Sequence, residues 1–232
     1  MQVSETCTVE RSGPPLAIRC GPVPSFDRAD LDSVRRAFRS AVSCSFRQAW
    51  LPAAESGFAP AVVRLGWRGS SLLVFAELTD LDIYNAATRP NQRTWELGDV
   101  FEMFFKSAGQ DRYVEFHVTP GNQRLQLGFP DTAAAARAQA TGEFGGFLIR
   151  DDAFFSHTWT DSERNGWQVF AEIPALAVCG SPASIENMKW QCSFGRYDYT
   201  RGVRQPVISS TSPHALPDFH RQHEWGDLIF KT

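Results

Sequence analysis

The chain lacks the features that announce most enzymes and most nucleic-acid-binding proteins. Its 232 residues contain no GxSxG, no HExxH and no glycine-rich phosphate loop, so the usual signatures of serine hydrolases, zinc peptidases and nucleotide-binding folds are missing. Charge of one sign is also scarce. Lys and Arg number 23 against 26 Asp and Glu, for a net charge of −3, and the basic residues are scattered, which gives no footprint for nucleic acid or an anionic membrane surface. Long apolar runs are missing, so no membrane span is expected. The opening "MQVSETCTVERSGPP" has neither the basic start nor the hydrophobic stretch of a secretory leader. The five cysteines, Cys7, Cys20, Cys44, Cys179 and Cys192, form no CxxC pair and no zinc spacing. They read as small buried or free thiols, with a Cys7–Cys20 bridge as the rival.

Aromatic residues, by contrast, are plentiful: 18 Phe and 7 Trp in a chain that is 43% hydrophobic. Such a chain can bury a large core without disulfides. No composition shift divides it, so one domain is expected, with residues 1–44 as a lead-in packed on a body spanning 45–232. In "DRADLDSVRRAFRSAV", Leu31, Val34, Phe38 and Val42 recur at helical spacing and predict a short amphipathic helix, with a loop plus strand as the alternative. From Ala61 the period changes to two. "AVVRLGW" and "LLVFAEL" flank the turn "RGSS", and "DVFEMFF", "RYVEFHVT" and "RLQLGF" follow as an antiparallel meander. "PDTAAAARAQATGEFGG" reads mostly as a crossing loop with at most one helical turn. "AFFSHTWT" and "WQVFAEIP" make a second hairpin, and "KWQCSFGRYDY", "PVISS" and "WGDLIF" complete about nine or ten strands. The fold class is therefore all-β, an antiparallel β-sandwich of jelly-roll or immunoglobulin-like type with one or two short helices. Trp67, Trp159, Trp167 and Trp190 fall in strand patterns and read as core.

The stretch "TWELGDVFEMFF" is the chemically suggestive one. Phe101, Met103 and Phe105 share one face of a strand and Val100, Glu102 and Phe104 the other. Both faces are mostly apolar, which places the strand centrally and makes Glu102 the anomaly. In the next strand Tyr113, Glu115 and His117 form a polar set opposite Val114, Phe116 and Val118. The third reads as Leu125, Leu127 and Phe129 inward with Arg124 and Gln126 outward. A carboxylate, a guanidinium, an amide and an aromatic ring on one sheet face suit a sugar, whose C–H patch stacks on a ring while its hydroxyls bond the fringe. The plain alternative is a solvated sheet face. "TDLDIYN" sets Asp80 and Asp82 two apart, hard oxygen ligands of the kind calcium takes, against an acidic turn. His214, His220 and His223 have loose metal-like spacing that loop polarity also explains.

The ordered pieces "W...GDVFEMFF", "YVEFHVTPGN", "GWQVFAEIP", "WQCSFGRYDY" and "SP....DFH....WG.L.F" together resemble the family 9 carbohydrate-binding modules and their DOMON-like relatives over roughly residues 45–232. The resemblance implies a β-sandwich that binds the end of a glycan chain, an extracellular or periplasmic setting, a link to polysaccharide degradation, and structural calcium in some members. It implies a sugar held between two Trp rings. Trp95 matches the aromatic residue before the acidic strand, Glu102 the acid within it, and Arg124 the sugar-binding arginine. Arg196, Tyr197 and Phe219 complete the expected ligand-binding set. Where relatives carry Trp before "SP", this chain has Thr211, a place that Phe219 or Trp225 could fill. The resemblance also leaves two other readings: a haem-binding domain using Met103, His117 or His157 as axial ligands, and a glycoside hydrolase using Glu102.

Overall fold

The computed structural model describes residues 16–161, 163–180, 185–186 and 188–231. The elements are β1 (Ala17–Cys20), α1 (Leu31–Ala37), β2 (Val42–Ser45), β3 (Ala61–Arg68), β4 (Ser71–Thr79), β5 (Val100–Ser107), β6 (Tyr113–Val118), β7 (Arg124–Phe129), α2 (Thr132–Thr141), β8 (Phe155–Asp161), β9 (Gly166–Pro174), α3 (Ala175–Cys179), β10 (Lys189–Asp198), β11 (Val207–Ser210) and β12 (Gly226–Phe230). Two sheets face each other. One runs β1-β12-β10-β5-β6-β7, with β11 also on β10, and the other runs β2-β3-β4-β9-β8. All pairs are antiparallel except β1 with β12. The β-sandwich expected from repeated hairpins is therefore the architecture, with twelve strands among the described residues. The lead-in supplies a strand to each sheet. A bridge from Cys20 to Cys7 lies outside the described residues; Cys20 itself is fully buried.

The interior is built by alternation. β5 sends Phe101, Met103 and Phe105 inward, β6 sends Val114, Phe116 and Val118, and Val74, Ala76, Trp167 and Val169 answer from the facing sheet. Removal of this apolar area from water is the main source of stability. Helix α1 covers the outside of the second sheet, laying Val34 and Phe38 on Phe75 and Phe170, as the first three residues of the spacing predict; Val42, the fourth, lies instead in β2 and packs on the sandwich core. Of the four tryptophans read as core, Trp167 and Trp190 are buried in it, while Trp67 is half-buried and Trp159 packs half-buried outside the second sheet.

Two expectations need correction. The alanine-rich segment is a ten-residue helix, α2, not a loop. The Asp131 carboxylate accepts the Ala134 amide at 2.7 Å and Gly142, at φ 73°, closes the helix in the left-handed region, so both its start and its stop signal were in the sequence. The faces of β7 are also reversed. Leu127 pairs with Glu115 and Leu125 with His117, which puts Leu125, Leu127 and Phe129 on the outer face, under α2 and Trp225. Gln126 and Arg124 therefore take the inner side. An outer face with its own apolar cover removes the rule that leucine points to the sandwich interior.

Candidate functional site

The outer face of the seven-stranded sheet is only partly closed over. Glu102 stands between Gly195 on β10 and His117 on β6, and Glu115 lies one register step away, opposite Phe104. Three segments rise around them: the turn Thr94–Glu96 carrying Trp95, the end of α2 with Phe144, and the loop bearing Phe219 and His220. They enclose a cavity of about 330 Å³, at the small end of ligand pockets.

Each wall has a local cause. The Trp95 turn is anchored by the amide of Asp99 on the Tyr84 carbonyl at 2.8 Å and by the Asn85 side-chain amide on the Thr94 carbonyl at 2.9 Å. That approach requires Gly98, which sits at φ 138° and whose missing Cβ would lie 2.5 Å from the Tyr84 oxygen. Trp95 then meets Phe144 edge-on at 5.2 Å, and Arg93 closes the corner by donating to the Gly142 carbonyl. Phe219 packs directly on the sheet because residue 195 is glycine; a Cβ there would fall 2.5 Å from the ring. The Trp225 indole donates to the Phe219 carbonyl at 2.8 Å. Ser193, His214 and Glu224 form a buried relay, Oγ to Nε2 at 3.3 Å and Nδ1 to Oε2 at 3.0 Å. It has the connectivity of a hydrolytic triad, but Ser193 and His214 are completely buried and line none of the described cavities, so it fastens the loop.

The floor is a chain of buried ionisable groups. His117 Nε2 is 2.6 Å from Glu115 Oε1, and its Nδ1 is 2.9 Å from the Thr94 hydroxyl and 3.4 Å from Glu102 Oε1. Glu115 Oε2 has no hydrogen-bond partner and lies 3.9 Å from His220 Nδ1, which the Tyr113 hydroxyl meets at 2.7 Å. Burial pushes Glu102 up to about 8, with His117 opposing and the Glu115 charge reinforcing the rise. Burial acts against protonation of His117, but the two carboxylates beside it prevail and raise it. Burial pushes Glu115 up, yet the His117 hydrogen bond and the charge of His220 hold it below its usual value. The floor thus holds Glu102 toward its neutral form and the Glu115–His117 contact toward its charged form.

These shifts set a pH dependence. A carboxyl raised in the folded state binds its proton where the unfolded chain has released it, so stability falls as pH rises from the unfolded value of 4.5 to about 8. The raised His117 has the same sign above its own unfolded value. The melting temperature is therefore expected to decline from about pH 5 toward pH 8, and Glu102→Gln to flatten that decline; calorimetry across the range checks it, and a parallel slope in the variant would refute the assignment.

Of the residues expected from sequence, Trp95, Glu102, Tyr197 and Phe219 are brought together here. Arg124 and Arg196 are not. Arg124 donates to the Phe154 carbonyl at 2.6 Å from the inner side of β7. Arg196 stands opposite Phe101, which faces the interior, and donates to the Thr79 carbonyl at 2.5 Å. Successive residues of a strand point to opposite faces, so Arg196 and Tyr197 could not both have reached the pocket. Thr211 is buried just past the end of β11, where it pairs with the Phe194 backbone, and Phe219 lines the same cavity as Trp95. Glu115 and His117 belong to the site with the polar alternation of "RYVEFHV" as their signal. Phe144 and Arg93 had none.

The other expected groupings separate. Asp82 pairs with Arg201, while Asp80 gathers with Asp99 and Asp198, one oxygen from each within 4.8 Å of the others. The Arg196 guanidinium stands among them, 3.5 Å from Asp80 and 2.9 Å from Asp198, and Asp99 is engaged by the amides of Tyr84 and Tyr199. Asp80 therefore has a buried arginine beside it and Asp82 an exposed one. Met103 lies in the sandwich interior, His117 on the outer face of one sheet and His157 on the other sheet, against Trp159, so no pair of them could flank a haem. His214, His220 and His223 engage Ser193, Tyr113 and Arg221 respectively.

No protein-family model matches the sequence and no curated protein matches it significantly. Solved structures do. A "putative carbohydrate-binding protein" from Bacteroides uniformis superposes with a TM-score of 0.73 at 17% identity, over 93% of this chain and 99% of that one. A family 9 carbohydrate-binding module from Caldicellulosiruptor kristjanssonii, in complex with cellotriose, gives 0.60 at 15% identity over 93% of each chain. The same organism's family 9 module in complex with glucose gives 0.62 at 14% identity, over 92% of this chain and 95% of that one. The chain shares their fold across nearly its whole length.

Proposed function

We propose that the pocket on the outer face of the seven-stranded sheet binds a saccharide unit without altering it chemically, in the service of polysaccharide degradation. The observation that carries this reading is the pocket itself: the rings of Trp95, Phe144, Tyr197 and Phe219 stand over buried carboxylates, the pairing of apolar wall and hydrogen-bonding floor that a pyranose requires. Trp95 is the stacking platform and Glu102 orients hydroxyls. The shared fold with modules crystallised with cellotriose and glucose supports it. Hydrolysis of a glycoside needs one acid and one separate base across the scissile bond, whereas Glu102 and Glu115 flank a single imidazole, so no turnover of chromogenic glycosides is expected.

A titration of glucose, cellobiose and cellotriose followed by tryptophan fluorescence tests the reading. Binding is expected between about micromolar and millimolar, because little surface is buried. Trp95→Ala should weaken it at least about tenfold while the protein stays folded. Unchanged affinity in a folded Trp95→Ala variant would remove the platform.

A further inference from the structure

The lining of the pocket is unbalanced in a way that names a ligand class. Four acids reach it, Glu96, Glu102, Glu115 and Asp218, against two basic side chains, Arg93 and His220. Arg93 is already committed: its guanidinium donates to the Gly142 carbonyl and to Glu96 at 3.3 Å, and lies 5.2 Å from the centre of the Phe144 ring. His220 is held by Tyr113. Both basic groups are thus tied to the protein's own acceptors, and acids outnumber them four to two at the pocket, a field that opposes a carboxylate or phosphate on a ligand.

The acceptors, in contrast, are open. Glu115 Oε2 is buried at the floor with no hydrogen-bond partner, in a residue only 5% exposed. A buried acceptor left unpaired is costly, the more so when it carries charge. Ligand oxygens of Glu102 and Glu115 come within 4.8 Å of each other, a span that one donor nitrogen bridges with two ordinary hydrogen bonds. A metal ion suits this geometry less well, since both nitrogens of His117 are engaged, with Thr94 and with Glu115. The surrounding rings add an attraction for a cation near their faces.

We infer that the pocket selects a saccharide carrying a free amino group in place of a ring hydroxyl, its ammonium seated between Glu115 and Glu102, and rejects acidic sugars. This rests on the saccharide reading above and narrows it. An ammonium offers three donors to a floor of acceptors, where a hydroxyl offers one, and charge-assisted hydrogen bonds are roughly twice as strong as neutral ones. The arriving cation also favours the ionised form of Glu102, whose proton leaves to solvent. N-acetylation removes the charge and two of the donors, and so removes the advantage.

The experiment is isothermal titration calorimetry near pH 7, with EDTA present, of glucosamine, glucose, N-acetylglucosamine and glucuronic acid, repeated in buffers of different ionisation enthalpy. Glucosamine is expected to bind at least about tenfold more tightly than glucose, a difference of about 1.4 kcal/mol, with net proton release, and glucuronic acid not to bind. Glu115→Gln should reduce the preference to within about threefold, read as the ratio of the glucosamine and glucose affinities of the same variant; Asp218→Asn, at the exposed rim, is the second variant and should reduce that ratio in the same direction. Equal or tighter binding of glucose, or a preference that survives both substitutions, overturns the inference and leaves the saccharide reading standing. A preference seen only without EDTA would assign the floor to a divalent cation and also overturn it. Failure of all four sugars to bind would defeat both.

Discussion

Arg196→Met is expected to destabilise the protein by about 3–5 kcal/mol, the cost of stranding buried charges by removing their partner. Arg196 is 1% exposed, like Asp80, and its guanidinium is the cation that Asp80 and Asp198 share. Asp99 lies in the same group. Burial and the neighbouring charges of Asp80 and Asp198 push it up to about 8, with two backbone amides opposing, and burial raises Asp198 to about 6 against the pull of Arg196. Without the arginine these acids can remain buried only by taking up protons. The loss should therefore be greatest at alkaline pH and shrink as the pH falls, since a raised folded-state carboxyl stabilises only where it is protonated. For a domain of this size the midpoint should fall by roughly 6–20 °C. A fall of less than about 1 kcal/mol, the range of a surface pair, would show that Arg196 is not the internal counter-ion.

Trp225→Ala should both destabilise the protein, by about 3–5 kcal/mol for loss of a large buried ring, and weaken ligand binding, although Trp225 does not line the pocket. Its ring packs on Phe104 at 5.8 Å and Tyr113 at 5.6 Å, and its N–H fixes the Phe219 carbonyl. The loop that carries Phe219 and His220 is thus held from beneath by a residue facing away from the ligand. Trp225→Phe separates the two effects: it keeps most of the packing, loses the hydrogen bond, and should lower affinity with a smaller change in melting temperature. Unaltered affinity in Trp225→Phe would mean that the buried His214–Glu224 relay holds the loop without help.

The sequence made the frame of this molecule readable where a pattern is local. The central position of β5, the polar alternation of β6 and the helix through Val34 and Phe38 all follow from spacing within a few residues. The orientation of β7 did not, because Leu125 and Leu127 are buried whichever face they take, and alternation cannot say which apolar layer receives them. Helix α2 carries no marked apolar stripe for periodicity to register, although its alanines favour a helix and Asp131 and Gly142 mark its ends. The site divides in the same way. Trp95 and Glu102 announce themselves as a ring and an acid beside an oily run. The Glu115–His117–Glu102 floor needs β5 and β6 in register, and bringing Trp95 and Phe219 to one cavity needs the strands between them. Arg124 and Arg196 were misplaced because a guanidinium near an expected sugar site looks functional, whereas here one meets a backbone carbonyl and the other a buried cluster of acids.

The most direct test of the central claim, that the outer face of the seven-stranded sheet is the binding surface, is the indole N–H region of a nitrogen-15 NMR spectrum during saccharide titration. The resonance of Trp95, identified by its loss in Trp95→Ala, is expected to move with saturable dependence on ligand while those of Trp159 and Trp67, outside this face, stay in place. Movement of Trp159 or Trp67 with Trp95 unmoved would put the ligand elsewhere on the sandwich and contradict the account.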